Sequence, residues 1–200
     1  MNRTVMFVLL LSALSCGRSS FFPLKRSNEW RFSGIIGALR ISAGPDSTDG
    51  IYTLTYFDSL GTPLWNEGIL PVNEQILWKS FEPIVPGENL MKFAPPLPLL
   101  TDVPGPGLVE ALQIMSGPDT VSIQISEMVY EYDLERADPV TVPAGSYAHC
   151  LILRTQIRYL ETVTAPLLAG ENTWWYARGV GPVKYELPGG SGELISFRLH

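Results

Sequence analysis

His149 and Cys150 are the residues of this chain best suited to chemistry, an imidazole and a thiol side by side in SYAHCLILRTQIRY. A thiolate nucleophile needs a base within hydrogen-bond reach. The alternation around the pair predicts a strand over 147–159, and neighbours on a strand point to opposite faces. His149 is therefore poorly placed to activate Cys150, which reads as a small buried hydrophobe. The other histidine, His200, is the last residue. One internal histidine without clustered Cys or Asp predicts no metal site. Glu127, Glu131, Asp133 and Glu135 could do acid–base work. They fall on one side of a strand with nothing else catalytic nearby, so a solvated face is the better reading. Asp46 and Asp49 precede Gly50 without the alternating ligands and closing Glu of a calcium loop. Gly179 and Gly181 lead into Pro182-Val183-Lys184-Tyr185, a strand and not the helix N-terminus that a phosphate cradle requires. A sharp corner is expected there, with Gly181 at a backbone angle closed to other residues. Trp174, Trp175 and Tyr176 alternate between faces, Trp174 and Tyr176 on one side and Trp175 on the other. They read as structural, against the rival reading of a stacking platform for a sugar or an apolar ligand. No catalytic residue, cofactor or metal ligand is assigned, and the ligand-binding residues stay unknown.

Cys16 carries the most specific signal. Asn2 and Arg3 give a short basic start, and 5–11 is the uncharged run VMFVLLL. Basic start, apolar run and small-residue exit together describe a secretory signal peptide, 1–15. The run is shorter than the roughly 20 apolar residues that span a bilayer. Ala13-Leu14-Ser15-Cys16 resembles a bacterial lipobox, with Ala13 where Leu is usual. The resemblance implies cleavage before Cys16 and diacylation of its thiol. Two acyl chains anchor stably where one does not. Residues 16–20, CGRSS, form a small, polar tether. Gly17 replaces the Asp that favours inner-membrane retention in Gram-negative sorting. By resemblance the chain is thus exported and lipid-anchored, at the outer membrane and facing the periplasm.

Composition bounds the body, a single β domain over 21–200. The chain has 14 basic and 20 acidic residues, net −6; loss of 1–15 removes Arg3 and no acid, leaving −7. An acidic chain without a basic cluster is a poor nucleic-acid binder. With Cys16 acylated, Cys150 has no disulfide partner, and stability must come from core burial. Trp30 and Phe32 alternate with charges, and Gly34 and Gly37 predict a bend. Residues 51–58, 64–70 and 74–82 read as a meander of strands. Seven prolines within 83–107 predict an irregular covering loop. Leu108, Ala111, Leu112 and Met115 share a helical face, so 107–115 is expected to be one short helix. Val121, Ile123 and Ile125 sit at odd positions, and Met128, Tyr130, Tyr132 and Leu134 at even ones. A strand cannot change phase unaided, so a bulge is expected near Ser126–Glu127. Residues 193–199 close the chain as a strand.

Three stretches carry a wider resemblance: Pro23-Leu24 with Asn28-Glu29-Trp30; Val142-Pro143-Ala144-Gly145-Ser146-Tyr147 through Cys150; and Trp175-Tyr176-Ala177-Arg178-Gly179-Val180-Gly181-Pro182-Val183-Lys184. Together they resemble a family of uncharacterised bacterial lipoproteins with PLxxGNxW, VPAGTFxxC and WYAxGVGxVK motifs. Ser27 and Pro182 depart from the pattern, and about 70–117 has no match. The resemblance implies export and an antiparallel β body, with no catalytic residues to carry over. The expected fold is all-β, a single curved antiparallel sheet or an open barrel, with the short helix and Pro-rich loop covering an edge. Two roles stay open: a non-enzymatic cell-envelope binding or assembly module with a protein partner, and a carrier of an apolar ligand or lipid in a sheet cavity. A filled interior favours the first and an empty one the second.

Overall fold

The computed structural model describes residues 20–45, 49–73, 75–84, 90–101, 104–116, 123–160 and 170–200. Cys16, the signal segment and Asp46 lie outside the described residues. In chain order the strands are β1 Glu29–Phe32, β2 Ala38–Ala43, β3 Tyr52–Phe57, β4 Pro63–Val72, β5 Gln75–Pro83, β6 Leu90–Leu100 and β7 Gly105–Ser116. They continue as β8 Ile123–Ala137, β9 Val140–Val142, β10 Gly145–Tyr147, β11 Cys150–Tyr159, β12 Gly170–Ala177, β13 Gly181–Leu187 and β14 Gly190–Arg198. Twelve of them close into an antiparallel barrel, ordered β1-β14-β13-β12-β11-β8-β7-β6-β5-β4-β3-β2. β9 and β10 form a separate hairpin between β8 and β11.

Period-two alternation gives every wall strand an inner and an outer row. The inner row is apolar and unusually aromatic. A barrel of about eight strands is narrow enough for ordinary side chains to fill, and bore widens with strand number. Here Trp30, Tyr56, Trp78, Tyr130, Tyr176 and Tyr185 are buried in the wider bore. Their rings meet at contact distance, with Tyr56 stacked on Trp65 at 4.7 Å and Trp174 against Tyr185 at 5.3 Å. The outer row is charged. Arg31 and Arg40 both bond the Glu29 carboxylate, Arg154 bonds Glu135 at 2.7 Å, and Arg158 bonds Glu131. The same outer wall also exposes apolar side chains, among them Leu108, Ile123 and Ile195.

Four expectations need correction. The sheet is neither open nor merely curved, because β1 pairs with β14 as well as β2. The expected helix over 107–115 is strand β7, paired along its whole length with β8. Short apolar runs fit both periods, and the β8 partner decides in favour of the strand, burying Ala111 and Gln113. The Pro-rich stretch is no covering loop, since β6 runs through it. β7 pairs with β6 only as far as Ala94, and the β5 register skips between Ser80↔Lys92 and Trp78↔Leu97. Pro95 and Pro96 therefore occupy a ladder gap where no N–H is needed. The bulge near Ser126–Glu127 is absent, and the β7–β8 register runs unbroken from Ser116↔Ile123 to Gly105↔Leu134. The phase change is resolved by exposure instead. Ile123 and Ile125 stay on the outer row, 65% and 58% exposed.

Candidate functional site: the barrel mouth

The chain before β1 crosses one end of the barrel and is tied there by polar contacts. Asn28, 1% exposed, donates from Nδ2 to Pro23 O at 2.8 Å and accepts from the His200 N–H at 2.8 Å. Trp30 donates its indole N–H to Val180 O at 2.6 Å, and Gly179 N–H donates to Ser20 O at 2.9 Å. Phe22 is buried against Trp30 and Tyr176, ring centres 5.5 and 5.8 Å away. The β9–β10 hairpin is fixed to the same end by Ala144 N–H donating to Leu194 O at 2.9 Å. The three stretches that carried the family resemblance thus meet at this mouth, though they lie far apart in sequence.

Gly181 shows why the corner needs glycine. Its φ is +105°, and a Cβ there would fall 2.8 Å from the Trp30 indole nitrogen. Both the backbone angle and the space exclude a side chain. Trp174 and Tyr176 face the bore, as the alternation predicts. Trp175 lies on the outer wall under the Lys184 ammonium, 4.7 Å from its ring centre.

Between these ties the mouth leaves a cavity of about 850 Å³. Its apolar surface comes from Phe22, Leu24, Tyr52, Ile76, Leu100 and Leu151. Its basic residues are Arg136, His149 and Arg178, and no Asp or Glu lines it among the described residues. Arg136 ends the inner row Tyr130, Tyr132, Leu134 on β8 and pairs in register with inward Leu151. Arg178 lies just past the end of β12, in the turn before β13, and its guanidinium stacks 4.9 Å over Phe21. The basic residues thus gather at the mouth ends of three adjacent strands, Arg136 on β8, His149 just before β11 and Arg178 just after β12.

Cys150 lines the cavity but is 1% exposed, its thiol donating to Tyr147 O at 3.4 Å. Burial raises its pKa, away from thiolate. His149 is exposed and sits at φ +57° in a break between β10 and β11. The strand predicted over 147–159 thus begins only at Cys150. Glu127, Glu131, Asp133 and Glu135 stand on the outer row, two of them in the arginine pairs above. Asp49 makes a local turn contact, accepting from Ile51 N–H at 3.3 Å. Among the described residues no three His, Cys, Asp or Glu gather as a metal site would require.

A second polar feature lies deeper in the bore. Glu67 stands on the inner row of β4 between Trp65 and Ile69. Its carboxylate accepts from Tyr56 Oη at 2.9 Å and from Trp65 Nε1 at 3.2 Å. No cation faces it in these contacts. Burial pushes its pKa up to about 7, the two hydrogen bonds opposing the shift without cancelling it. Its side chain is half-buried. Sequence reading missed both Glu67 and the basic mouth. The signal was present in part: Glu67 interrupts the alternating row Trp65, Glu67, Ile69, and Arg136 extends the inner row Tyr130, Tyr132, Leu134.

Among solved structures, the fold resembles that of an inferred exported protein with a YmcC-like fold from Bacteroides fragilis NCTC 9343. That match has 12% identity and a TM-score of 0.54 over 90% of this chain and 100% of that one. It also resembles an inferred lipoprotein from Parabacteroides distasonis ATCC 8503, with 14% identity and a TM-score of 0.52 over 90% of this chain and 99% of that one. At such identities the likeness is one of fold. No family model and no curated protein matches the chain.

Proposed function

We propose that the chain is a non-enzymatic lipoprotein of the cell envelope, exported, acylated on Cys16, and held at the outer membrane facing the periplasm, with the barrel mouth as its binding site. The observation that carries this reading is the place of the cavity. Ser20 lines it, four residues from Cys16. A fully extended tether of that length spans at most about 14 Å, so an anchored barrel holds its mouth beside the membrane. The fold shared with an inferred exported protein and an inferred lipoprotein supports export and anchoring. Gly17 supports the outer membrane.

Burial of the Cys150 thiol supports binding over catalysis. Buried rings crowd the bore below the mouth, which suits a binding module better than a deep carrier. The apolar floor favours an apolar ligand over a protein partner. A cavity of about 850 Å³ falls in the range that encloses one small-molecule ligand, about 300–1,000 Å³.

Two measurements test the reading. Detergent phase partition of wild type and Cys16→Ala should place the first in the detergent and the second in water; equal partition into water ends the lipoprotein reading. Titration of the Cys16→Ala chain with an uncharged apolar fluorophore should saturate at one site, and Leu24→Gln should weaken it. Absence of saturable binding ends the mouth reading.

A further inference from the structure

We infer that the mouth is built for a single-chain amphiphile with an anionic head, the head held by Arg136, Arg178 and His149 and the chain lying on the apolar floor. This rests on the mouth being a binding site and adds the chemical class of its occupant. The first support is charge. The whole chain is acidic at net −6, yet the charged side chains lining the cavity among the described residues, Arg136 and Arg178, are both cations. Two arginines gathered there repel one another unless an anion joins them.

The second support is geometry. The register pairs Cys150 with Ala137 on one side and with Ala177 on the other. Arg136 and Arg178 therefore flank the start of β11, where His149 enters the cavity lining. Arg136 makes no ion pair among the described residues, whereas Arg154 and Arg158 of neighbouring β11 are both paired on the outer wall. Arg178 is positioned by Phe21 through its ring face, which leaves its edge donors for an anion. A guanidinium fork matches carboxylate and phosphate oxygens alike. Below the cations the wall turns apolar at Leu151, Ile76 and Leu100. A polar head above an apolar chain fits that order. The cavity volume suits one chain, and the filled bore below stops it.

The test uses the exported chain with its acyl anchor removed by Cys16→Ala. Dodecyl phosphate, dodecanoate, dodecanol and inorganic phosphate are compared by calorimetry and by displacement of the uncharged fluorophore. The two anionic amphiphiles are expected to bind more tightly than dodecanol by roughly tenfold or more, the ratio one charge-assisted contact supplies. Arg136→Gln with Arg178→Gln should erase that ratio, and Arg136→Lys with Arg178→Lys should keep most of it. Equal affinity for dodecanol overturns the anionic head while leaving an apolar binding site. Inorganic phosphate binding as well as dodecyl phosphate overturns the amphiphile. Binding to vesicles of anionic phospholipid, with none of the single-chain compounds bound, makes the cations a membrane contact and also overturns it. If the fluorophore itself does not bind, the underlying mouth reading fails instead.

Discussion

The bore and the mouth of this barrel are continuations of the same inner rows, and they end in opposite chemistry. On β12 the row runs Trp174, Tyr176, with Arg178 in the turn just beyond; on β8 it runs Tyr130, Tyr132, Leu134, Arg136. In the bore these rows meet ring against ring and leave little room. Two residues further on, the same rows give out in arginine and a cavity opens. A wide barrel needs bulky side chains to be stable, and it can spare them only at an end. The ends are thus where such a fold acquires function without losing its core.

Four outcomes would break or sharpen that contrast. The largest belongs to Trp30, fully buried where bore meets mouth. Trp30→Ala should lower the free energy of unfolding by about 3–5 kcal/mol in urea titrations, the usual cost of emptying a buried aromatic site. A loss below about 1 kcal/mol would mean that the bore is not packed as described.

Glu67 comes next, since it is the carboxylate held inside the bore. Its pKa is raised in the folded state to about 7, from an ordinary value of 4.5. The native state then binds the proton more tightly than the unfolded chain does. The acid's contribution is intact below about pH 4.5, falls as pH climbs towards 7, and levels off above it. The span is on the order of 3 kcal/mol at most. Unfolding curves of Glu67→Gln between pH 4 and 8 should lack this slope and show a more stable protein than wild type at pH 8. Parallel slopes for the two proteins would place the acid in contact with bulk water.

Gly181→Ala tests the corner. The left-handed φ alone costs about 1–3 kcal/mol, and the Trp30 ring adds to it. A thermal melt unchanged from wild type would show that the corner can relax. The smallest effect is expected at the mouth. Leu24→Gln should cost under about 1 kcal/mol of stability while weakening the uncharged fluorophore. Were the order reversed, with Leu24 mattering more to folding than Trp30, the division between filled bore and hollow mouth would be wrong.

How far the sequence spoke depended on how local each feature was. The strands β3, β4, β5 and β14 were legible because alternation and turn residues are neighbours in sequence. So were the split of Trp174 and Tyr176 from Trp175, the burial of Cys150, and the strain at Gly181. Closure of the barrel was not, because nothing in Glu29–Phe32 announces that its partner is Gly190–Arg198. The prolines of β6 misled for a related reason. Whether Pro95 breaks a strand depends on whether a neighbour asks for its N–H, and that neighbour is β5 or β7. The basic mouth was hidden by dispersal. Arg136, His149 and Arg178 stand far apart in the chain and meet only through the registers of β8, β11 and β12. No run of charge marks them.

The seam between β1 and β14 also decides when the mouth exists. It joins Glu29–Phe32 to Gly190–Arg198, and pairings of such separation form slowly. Until β14 is in place, β1 and β13 each present a bare edge, and the His200 clasp on Asn28 is not formed. A chain folded everywhere except at this seam is an open ribbon without a mouth. The cavity comes into being only when the barrel shuts, so closure and competence to bind arrive in one step.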